Sequence, residues 1–200
     1  MKREYYSDTI SNFLRATSNE ILADLVKNND FDLEQTQRFA WLEEIRILQN
    51  TLQPYIGSIY FEYSIPRMGK RIDVVLIIDS VIFVLEFKIG DKEFQSTAID
   101  QVYDYALDLK NFHETSHKPI IAPILIATNS DAKFTTVACT PEYDNLLIPV
   151  KCNETLLKQT IFDILQFDES NKIDPVKWEG GRYEPTPTIV EAAMALYRDH

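Results

Sequence analysis

The fold is decided by residues 71–88, which read RIDVVLIIDSVIFVLEFK. The stretch is typical of two apolar strands joined by a tight turn at Asp79-Ser80, and each strand carries charge only at the end far from that turn. In an antiparallel hairpin centred on this turn, paired residue numbers have a constant sum, so Val81 faces Ile78. The almost continuous apolar runs predict strands that are covered on both faces.

Four charged side chains meet at the open end of this predicted hairpin. The same register places Glu86 opposite Asp73 and Lys88 opposite Arg71, and all four lie on one face because side chains alternate along a strand. Directly opposed residues have Cβ atoms about 4.5–5.5 Å apart, and two carboxylates that close repel each other unless a cation lies between them. The pattern predicts a metal ion with a lysine beside it. Diagonal salt bridges, Arg71 with Glu86 and Asp73 with Lys88, are the alternative.

The rest of the sequence predicts an α/β protein. The order helix, three strands, helix, strand indicates a mixed sheet with helices on both faces. Pro123 would place the strand that contains it at an edge or a bulge, and Ser18 would cap the second part of the first helical region. The predicted helices cover about residues 8–28, 34–53, 95–112, 153–166 and 189–197, and the predicted strands cover 58–65, 71–88 as the hairpin, 120–127, and more weakly 134–139 and 146–151.

A third carboxylate is predicted on the helix of residues 34–53. Its apolar face has 3.6-residue spacing; Glu44 lies at the edge of that face and Glu43 points away from it. Hard divalent cations such as Mg²⁺ prefer oxygen ligands of this kind, so Glu44 is a candidate partner of Asp73 and Glu86. A solvated helix flank is the equally open alternative for Glu44.

The helix of residues 95–112 supplies two candidate supporting residues. Gln101 and Tyr105 are four residues apart, so they are stacked on one helix face at the rim of the apolar stripe. We expect them to orient the site or a phosphate. The acidic residues Asp100, Asp104 and Asp108 follow the opposite face and are predicted to be solvated.

Charge and composition limit the function classes. The chain has 200 residues, enough for one domain, and its 45% hydrophobic and 12% aromatic content predicts a folded protein. A net charge of −11 argues against a tight, standalone nucleic-acid binder. The run of residues 67–71 is the locally basic exception, so Arg67, Lys70 and Arg71 are the predicted nucleic-acid contacts.

The cysteines and the absence of long apolar runs predict a cytoplasmic location. Cys139 and Cys152 give neither a disulfide framework nor zinc-finger spacing. No apolar run is long enough to cross a bilayer, and the first residues lack the apolar stretch of a signal peptide. We therefore expect no membrane partner.

A competing motif occurs at residues 113–117, which read HETSH and match the zinc-protease signature H-E-x-x-H. That chemistry needs His113 and His117 on one helical face. Pro119 follows closely and disfavours helix before it. The more favoured interpretation is a helix C-terminus with cationic side chains near the last carbonyls.

The candidate site residues resemble the motifs of the PD-(D/E)XK nuclease superfamily, in its RecB-type branch. That family has a helix bearing Glu, a strand with Asp, a strand with Glu-x-Lys and a helix with Gln-x-x-x-Tyr. The matching residues, in the same order, are Glu44, Asp73, Glu86-Phe87-Lys88, and Gln101 with Tyr105. One departure is Ile72, which stands where the motif has Pro. The resemblance covers about residues 40–127 and implies a restriction-endonuclease-like fold with an αβββαβ core.

A closer resemblance extends over nearly the whole chain. Residues 31–37, 60–66 and 107–114 look like the N-terminal region of bacterial proteins that continue into a Schlafen-type superfamily-one helicase. This resemblance implies a nuclease-like domain over residues 1–170. Residues 171–200 would then form a linker and C-terminal helix that lead to a helicase domain in cis. It also implies DNA rather than RNA as the main partner, and a role in DNA processing or phage defence.

The resemblance further implies a metal-dependent phosphodiesterase. Asp73, Glu86, the carbonyl of Phe87 and Glu44 would hold Mg²⁺ or Mn²⁺, and Lys88 would orient the attacking water or offset charge on the phosphate. The alternative from another class is a catalytically inactive nuclease fold that binds nucleic acid or a protein partner. The sequence leaves the oligomeric state open.

Overall fold

The computed structural model describes residues 3–29, 34–133, 136–142, 145–167 and 171–198. A 3₁₀ turn at Glu114–Ser116 joins the fourth helix to the fifth strand. The strands are β1 (Tyr6–Thr9), β2 (Gly57–Ile65), β3 (Lys70–Ile78), β4 (Val81–Lys88), β5 (Ile120–Ala127) and β6 (Val150–Cys152). The helices are α1 (Ile10–Arg15), α2 (Ser18–Asn28), α3 (Gln35–Thr51), α4 (Ser96–Phe112), α5 (Leu157–Leu165), α6 (Pro175–Glu179) and α7 (Pro187–Arg198).

The six strands form one mixed sheet whose spatial order follows the chain from β1 to β6. Strands β1 to β4 are antiparallel neighbours, whereas β4, β5 and β6 are parallel. Helix α4 makes the crossover between β4 and β5, because parallel neighbours need a long connection. The predicted α/β class, with helices flanking a mixed sheet in the order αβββαβ, is confirmed.

The central hairpin has the predicted turn and register. Ile78 pairs with Val81, and Asp79 at the turn adopts a left-handed φ of 50°. The β3–β4 ladder ends at the pair of Val74 and Leu85. Beyond that pair, β3 continues its ladder with β2 alone. The charged ends predicted to face each other across the hairpin therefore lie outside the β3–β4 ladder.

Two hydrophobic cores lie on opposite faces of the sheet. Alternate β3 residues divide between them, with Val74 and Leu76 on the first core and Val75 and Ile77 on the second. Helices α1, α2, α3 and α5 cover the first face, and α4 and α6 cover the second. Each large apolar side chain buried in this way contributes about 1.5–3 kcal/mol. Both faces of β3 and β4 are covered, as their apolar sequence predicts.

Several predicted elements differ from the structure at the chain's first region. Residues 6–9 form β1, which pairs with β2, instead of the start of a helix. Thr17 rather than Ser18 is the N-cap of α2, and it forms a capping box with Glu20. The local sequence is compatible with a helix from residue 8. The edge of β2, however, offers backbone hydrogen-bond partners to residues 6–9, and a local pattern cannot reveal this distant pairing.

The later strands also differ in detail. Pro123 lies in β5, between β4 and β6, so the predicted edge position is wrong. It is tolerated there because β6 pairs with β5 from Ile124 onward. Of the weak strand predicted at 134–139, residues 134 and 135 lie outside the described part. Residues 136–138 are not in a strand, and Cys139 makes an isolated bridge to Leu147.

The segment after residue 171 contacts the second core. Trp178 is fully buried there, and the amide of Ile173 donates to the carbonyl of Asp79 at 2.7 Å. The amide of Glu184 donates to the carbonyl of Phe112 at 2.7 Å. Residues 173–184 thus pack on the sheet and on α4. The helicase domain predicted to follow this segment stays a prediction.

Gly57 should be essential to the start of β2. It pairs with Ile78, and a Cβ at this position would clash with the backbone carbonyl oxygen of Ile77. We expect Gly57→Ala to lower the free energy of unfolding by about 1–3 kcal/mol, as overpacking does elsewhere. Urea denaturation measures the loss. Gly180→Ala is the matched control, because a Cβ there meets its nearest atom at an ordinary 3.5 Å. Equal losses in both variants would contradict the proposed clash.

Candidate metal centre

Asp73 and Glu86 lie where β3 and β4 separate. Asp73 Oδ2 accepts a hydrogen bond from the Phe87 amide at 2.8 Å, which links the two strands just beyond their last ladder pair. Glu86 is buried, and its Oε1 accepts a hydrogen bond from Lys88 Nζ at 2.7 Å. The lysine of the Glu-x-Lys motif thus contacts the glutamate of the same motif rather than bridging diagonally to Asp73.

Glu44 is the helix carboxylate of the site. It is 4% exposed and lies on the side of α3 that packs against the first core. Its neighbour Glu43 instead forms an ion pair with Arg46 at 2.9 Å near the surface. The solvated-flank alternative for Glu44 is therefore wrong, and the buried Glu44 and the surface-paired Glu43 agree with their predicted places on the helix.

The carboxylates of the site raise one another's pKa. Burial is the first cause for Glu44, followed by the negative charges of Asp73, Glu62 and Glu86. Burial also comes first for Asp73, whose pKa lies well above its usual value, and the charges of Glu86 and Glu62 follow. The pKa of Glu86 is raised by burial and held down by the adjacent Lys88. The nearby positive charge of Lys88 lowers all three pKa values but does not outweigh burial and mutual repulsion.

The chemistry of the site fits a hard divalent cation. Glu44 Oε2 and Glu86 Oε2 are buried oxygens without a hydrogen-bond partner in the described part of the chain. Such atoms are costly unless a donor or a metal satisfies them. Within residues 3–29, 34–133, 136–142, 145–167 and 171–198, no group of three or more acids, histidines or cysteines is already gathered at metal-ligand geometry. Lys88 Nζ contacts Glu86 Oε1 at 2.7 Å, which leaves Glu86 Oε2 as the oxygen of this carboxylate that is open to a cation.

Phe87 contributes to the site through its backbone amide. The amide donates to Asp73 and fixes that carboxylate relative to β4. The predicted role of the Phe87 carbonyl as a metal ligand stays a prediction.

Gln101 and Tyr105 form the predicted pair on α4. Gln101 Nε2 donates to the Tyr105 hydroxyl at 2.7 Å, and the tyrosine ring is buried in the second core. Burial raises the pKa of Tyr105 to about 12, and the charges of Glu86 and Asp73 add to that effect. The hydroxyl is therefore neutral, and the predicted role of Gln101 and Tyr105 in support of the site stays a prediction.

Asp108 does not belong to the predicted solvated stripe. Asp100 and Asp104 are exposed, but Asp108 is buried. Burial raises the pKa of Asp108, and the nearby Tyr183 and Arg67 lower it by smaller amounts. The C-terminal segment that carries Tyr183 covers this part of α4.

The HETSH segment lacks the helical geometry of a zinc protease. Helix α4 ends at Phe112, and residues 114–116 form a 3₁₀ turn. His113 is fully buried, lies 2.7 Å from the Ser116 hydroxyl through Nδ1, and packs edge-on against Trp178. Burial lowers its pKa to about 3, so it is neutral and does not act as a cation at the helix end. Glu114, the required base, is paired with Arg182.

The three predicted nucleic-acid contacts differ in their environment. Arg67 and Lys70 are exposed, and the Arg67 guanidinium stacks over the Phe112 ring. Arg71 is half-buried and donates to the backbone carbonyl of Glu62 at 2.8 Å. Lys70 lies close enough to Glu86 to lower the pKa of that acid, after the larger effects of burial and Lys88. Arg67 and Lys70 are therefore more exposed to solvent than Arg71, and the contact of all three with nucleic acid stays a prediction.

Two grooves flank the N-terminal turn of α3, and both are lined by Thr36 and Gln37. The larger has a volume of about 710 Å³ and is also lined by Phe87, Lys88 and the exposed Phe39. The smaller, of about 370 Å³, includes Glu62, Lys70 and Arg71. The candidate centre therefore has open surface on two sides.

Glu62 is the site residue that sequence reasoning missed. Its charge acts on Glu44 and on Asp73, and its own pKa is raised by burial. The structure locates it through the register of β2 and β3, in which Phe61 pairs with Val74 and Tyr63 pairs with Ile72. The same constant sum places Glu62 opposite Asp73.

Among the described residues, no helix combines the length and apolar character needed to span a membrane. Comparison of the chain with protein-family models, with curated proteins and with solved structures gives no match.

Proposed function

We propose that the protein is a divalent-metal-dependent nuclease that hydrolyses phosphodiester bonds of nucleic acid, with DNA as the preferred substrate. The observation that carries this proposal is the pair of buried, unpartnered carboxylate oxygens on Glu44 and Glu86, next to Asp73 and Lys88. A bound Mg²⁺ or Mn²⁺ would polarise the phosphoryl group and lower the pKa of a bound water. The order of the motif residues along the chain supports the same function.

Each residue has a distinct part in this proposal. Asp73, Glu86 and Glu44 hold the cation with hard oxygen donors. Lys88 lines the larger groove, where its ammonium can offset charge that develops on the phosphate. Tyr105, hydrogen-bonded to Gln101, supports the acids from the second core.

The acidic chain needs help to hold nucleic acid. With a net charge of −11, long-range attraction to phosphates is weak. We propose that a helicase domain in cis supplies most of the affinity for nucleic acid. We also propose that the protein acts in the cytoplasm, where Cys139 and Cys152 stay as free thiols.

A nuclease assay tests the proposal. The purified protein is incubated with single- and double-stranded DNA and RNA in Mg²⁺, in Mn²⁺ and in EDTA. We expect cleavage with either metal and none in EDTA. Binding without cleavage of any substrate, with the cis domain supplied, would favour the inactive binding module instead.

The exposed basic residues should contribute to affinity through charge alone. We expect Arg67→Ala and Lys70→Ala each to weaken DNA binding and to reduce the slope of log K against log salt by about 1, since each contact releases about one counterion. Fluorescence anisotropy at several salt concentrations, in EDTA, measures both quantities. Lys158→Ala is the control, because this exposed lysine lines a groove between Tyr55 and Phe162 that contains none of the candidate site residues. An unchanged slope in both variants would remove these residues from the interface.

A further inference from the structure

Glu62 lies in β2 directly across from Asp73, at a break in the sheet. The pairs on either side are Phe61 with Val74 and Tyr63 with Ile72, and Glu62 and Asp73 themselves are left out of the ladder. Glu62 has a left-handed φ of 52°. A long side chain rarely adopts this conformation, which persists only where the surroundings enforce it. The local backbone is therefore strained at the position next to the central carboxylate.

The strained backbone turns Glu62 toward α3. Phe61 packs in the first core, whereas Tyr60 and Tyr63 both pack in the second, so the usual alternation along the strand is interrupted at Glu62. Its Oε1 accepts hydrogen bonds from Trp41 Nε1 at 2.8 Å and from Gln37 Nε2 at 3.4 Å. Both donors belong to α3, the helix that also carries Glu44. In an undistorted β2, regular alternation would place this side chain on the face of the second core, away from α3.

The hydrogen bonds of Glu62 do not balance the charge of the cluster. Trp41 and Gln37 are neutral donors. The positive charges that act on the four acids include those of Arg71 on Glu62 and of Lys88 and Lys70 on Glu86. Within the described part of the chain, no donor reaches Glu44 Oε2 or Glu86 Oε2, so both oxygens can still accept a hydrogen bond or bind a cation. A structural role for Glu62 as a cap for Trp41 would be met equally well by a neutral glutamine, without the cost of a partly buried charge.

We propose that Glu62 is a fourth carboxylate of the divalent-metal centre, and that the strained turn of β2 exists to place its charge beside Glu44 and Asp73. This inference rests on the proposed metal-dependent function and extends it to a residue outside the family's motifs. Trp41 and Gln37 hold one carboxylate oxygen of Glu62. The negative charge of Glu62 lies beside Glu44 and Asp73 and strengthens their binding of the cation, so Glu62 is a positioning residue.

Metal affinity of the intact protein tests the proposal without an activity readout. Mn²⁺ binding is measured by electron paramagnetic resonance, and the Mg²⁺-induced rise in melting temperature is measured by circular dichroism. Glu62→Gln keeps an acceptor for Trp41 and removes the charge. We expect it to weaken Mn²⁺ affinity about 10–100-fold, as loss of a supporting carboxylate does at other metal sites, and to leave the melting temperature in EDTA no lower than that of the unaltered protein.

Two further variants make the result decisive. Glu62→Gly suits the left-handed φ and removes the carboxylate, so it should be folded and show the same loss of affinity if the glutamine variant does not fold. Glu43→Gln is the matched control, because Glu43 is adjacent to Glu44 but paired with Arg46 near the surface, and it should bind Mn²⁺ normally. If both Glu62 variants bind Mn²⁺ as tightly as the unaltered protein, Glu62 is not part of the centre while the proposed function stands. If the unaltered protein binds no Mn²⁺, both proposals fail.

Discussion

Asp73→Asn is expected to abolish metal-dependent cleavage, with a loss of at least about 100-fold in the single-turnover rate. Loss of a residue that merely supports a metal ligand costs roughly 10–100-fold, and Asp73 is proposed as a direct ligand. Asparagine retains the size of the side chain and an acceptor for the Phe87 amide, which lies 2.8 Å from Asp73 Oδ2. The loss would therefore reflect the missing charge rather than a rearranged hairpin.

Asp79→Asn provides the control for this variant. Asp79 lies at the other end of the same strand, at the exposed turn, where it pairs with Lys172 at 2.8 Å. Asparagine tolerates the left-handed conformation found there. Rates are compared in saturating Mg²⁺ on one labelled DNA substrate. Cleavage by Asp73→Asn at the rate of Asp79→Asn would remove Asp73 from the catalytic centre.

The second large effect concerns stability as a function of pH and metal. Burial and mutual repulsion raise the pKa values of Glu44 and Asp73 in the folded protein above those of the unfolded chain. The folded state therefore binds more protons, and its stability falls as pH rises from the ordinary carboxylate pKa, about 4, toward the raised values. In EDTA, the melting temperature should decrease as the pH increases through this window.

Mg²⁺ should reverse this trend, because the cation replaces the protons that the cluster loses. At a concentration of about 100 times Kd, the gain is about 2.7 kcal/mol, and it should be greatest above the raised pKa values. Circular dichroism melts between pH 5 and pH 8, in EDTA and in Mg²⁺, measure both effects. Glu44→Gln should flatten the pH dependence in EDTA. A melting temperature in EDTA that rises across this range, or one that Mg²⁺ leaves unchanged, would contradict the proposed cluster.

Local sequence was sufficient for the central hairpin. The apolar runs on either side of Asp79-Ser80 fix both the turn and the register, because a shift by one residue would expose every buried side chain. The same runs predicted the burial of both faces of β3 and β4. The sequence correctly predicted that Asp73 and Glu86 lie near each other. It did not predict that the strands separate after Val74 and Leu85, which leaves the two acids outside the ladder.

The parts that the sequence did not reveal depend on distant segments. Asp108 and His113 lie on polar stretches that read as surface, yet Trp178 and Tyr183 cover them. Neither contact leaves a periodic signal near residues 108–113. Glu62 was missed for another reason: a single acid in an alternating strand looks solvent-exposed, and its turn toward α3 results from an unusual φ. Such distortions oppose local preference and are found most often where function requires them.

The most direct test of the proposed metal centre is anomalous diffraction from crystals soaked in Mn²⁺. We predict an anomalous peak within about 2.5 Å of carboxylate oxygens of both Asp73 and Glu86, with Glu44 facing the peak and Lys88 Nζ moved off Glu86 Oε1. Density that shows Lys88 still paired with Glu86 at 2.7 Å, with no peak between the carboxylates, would contradict the metal centre.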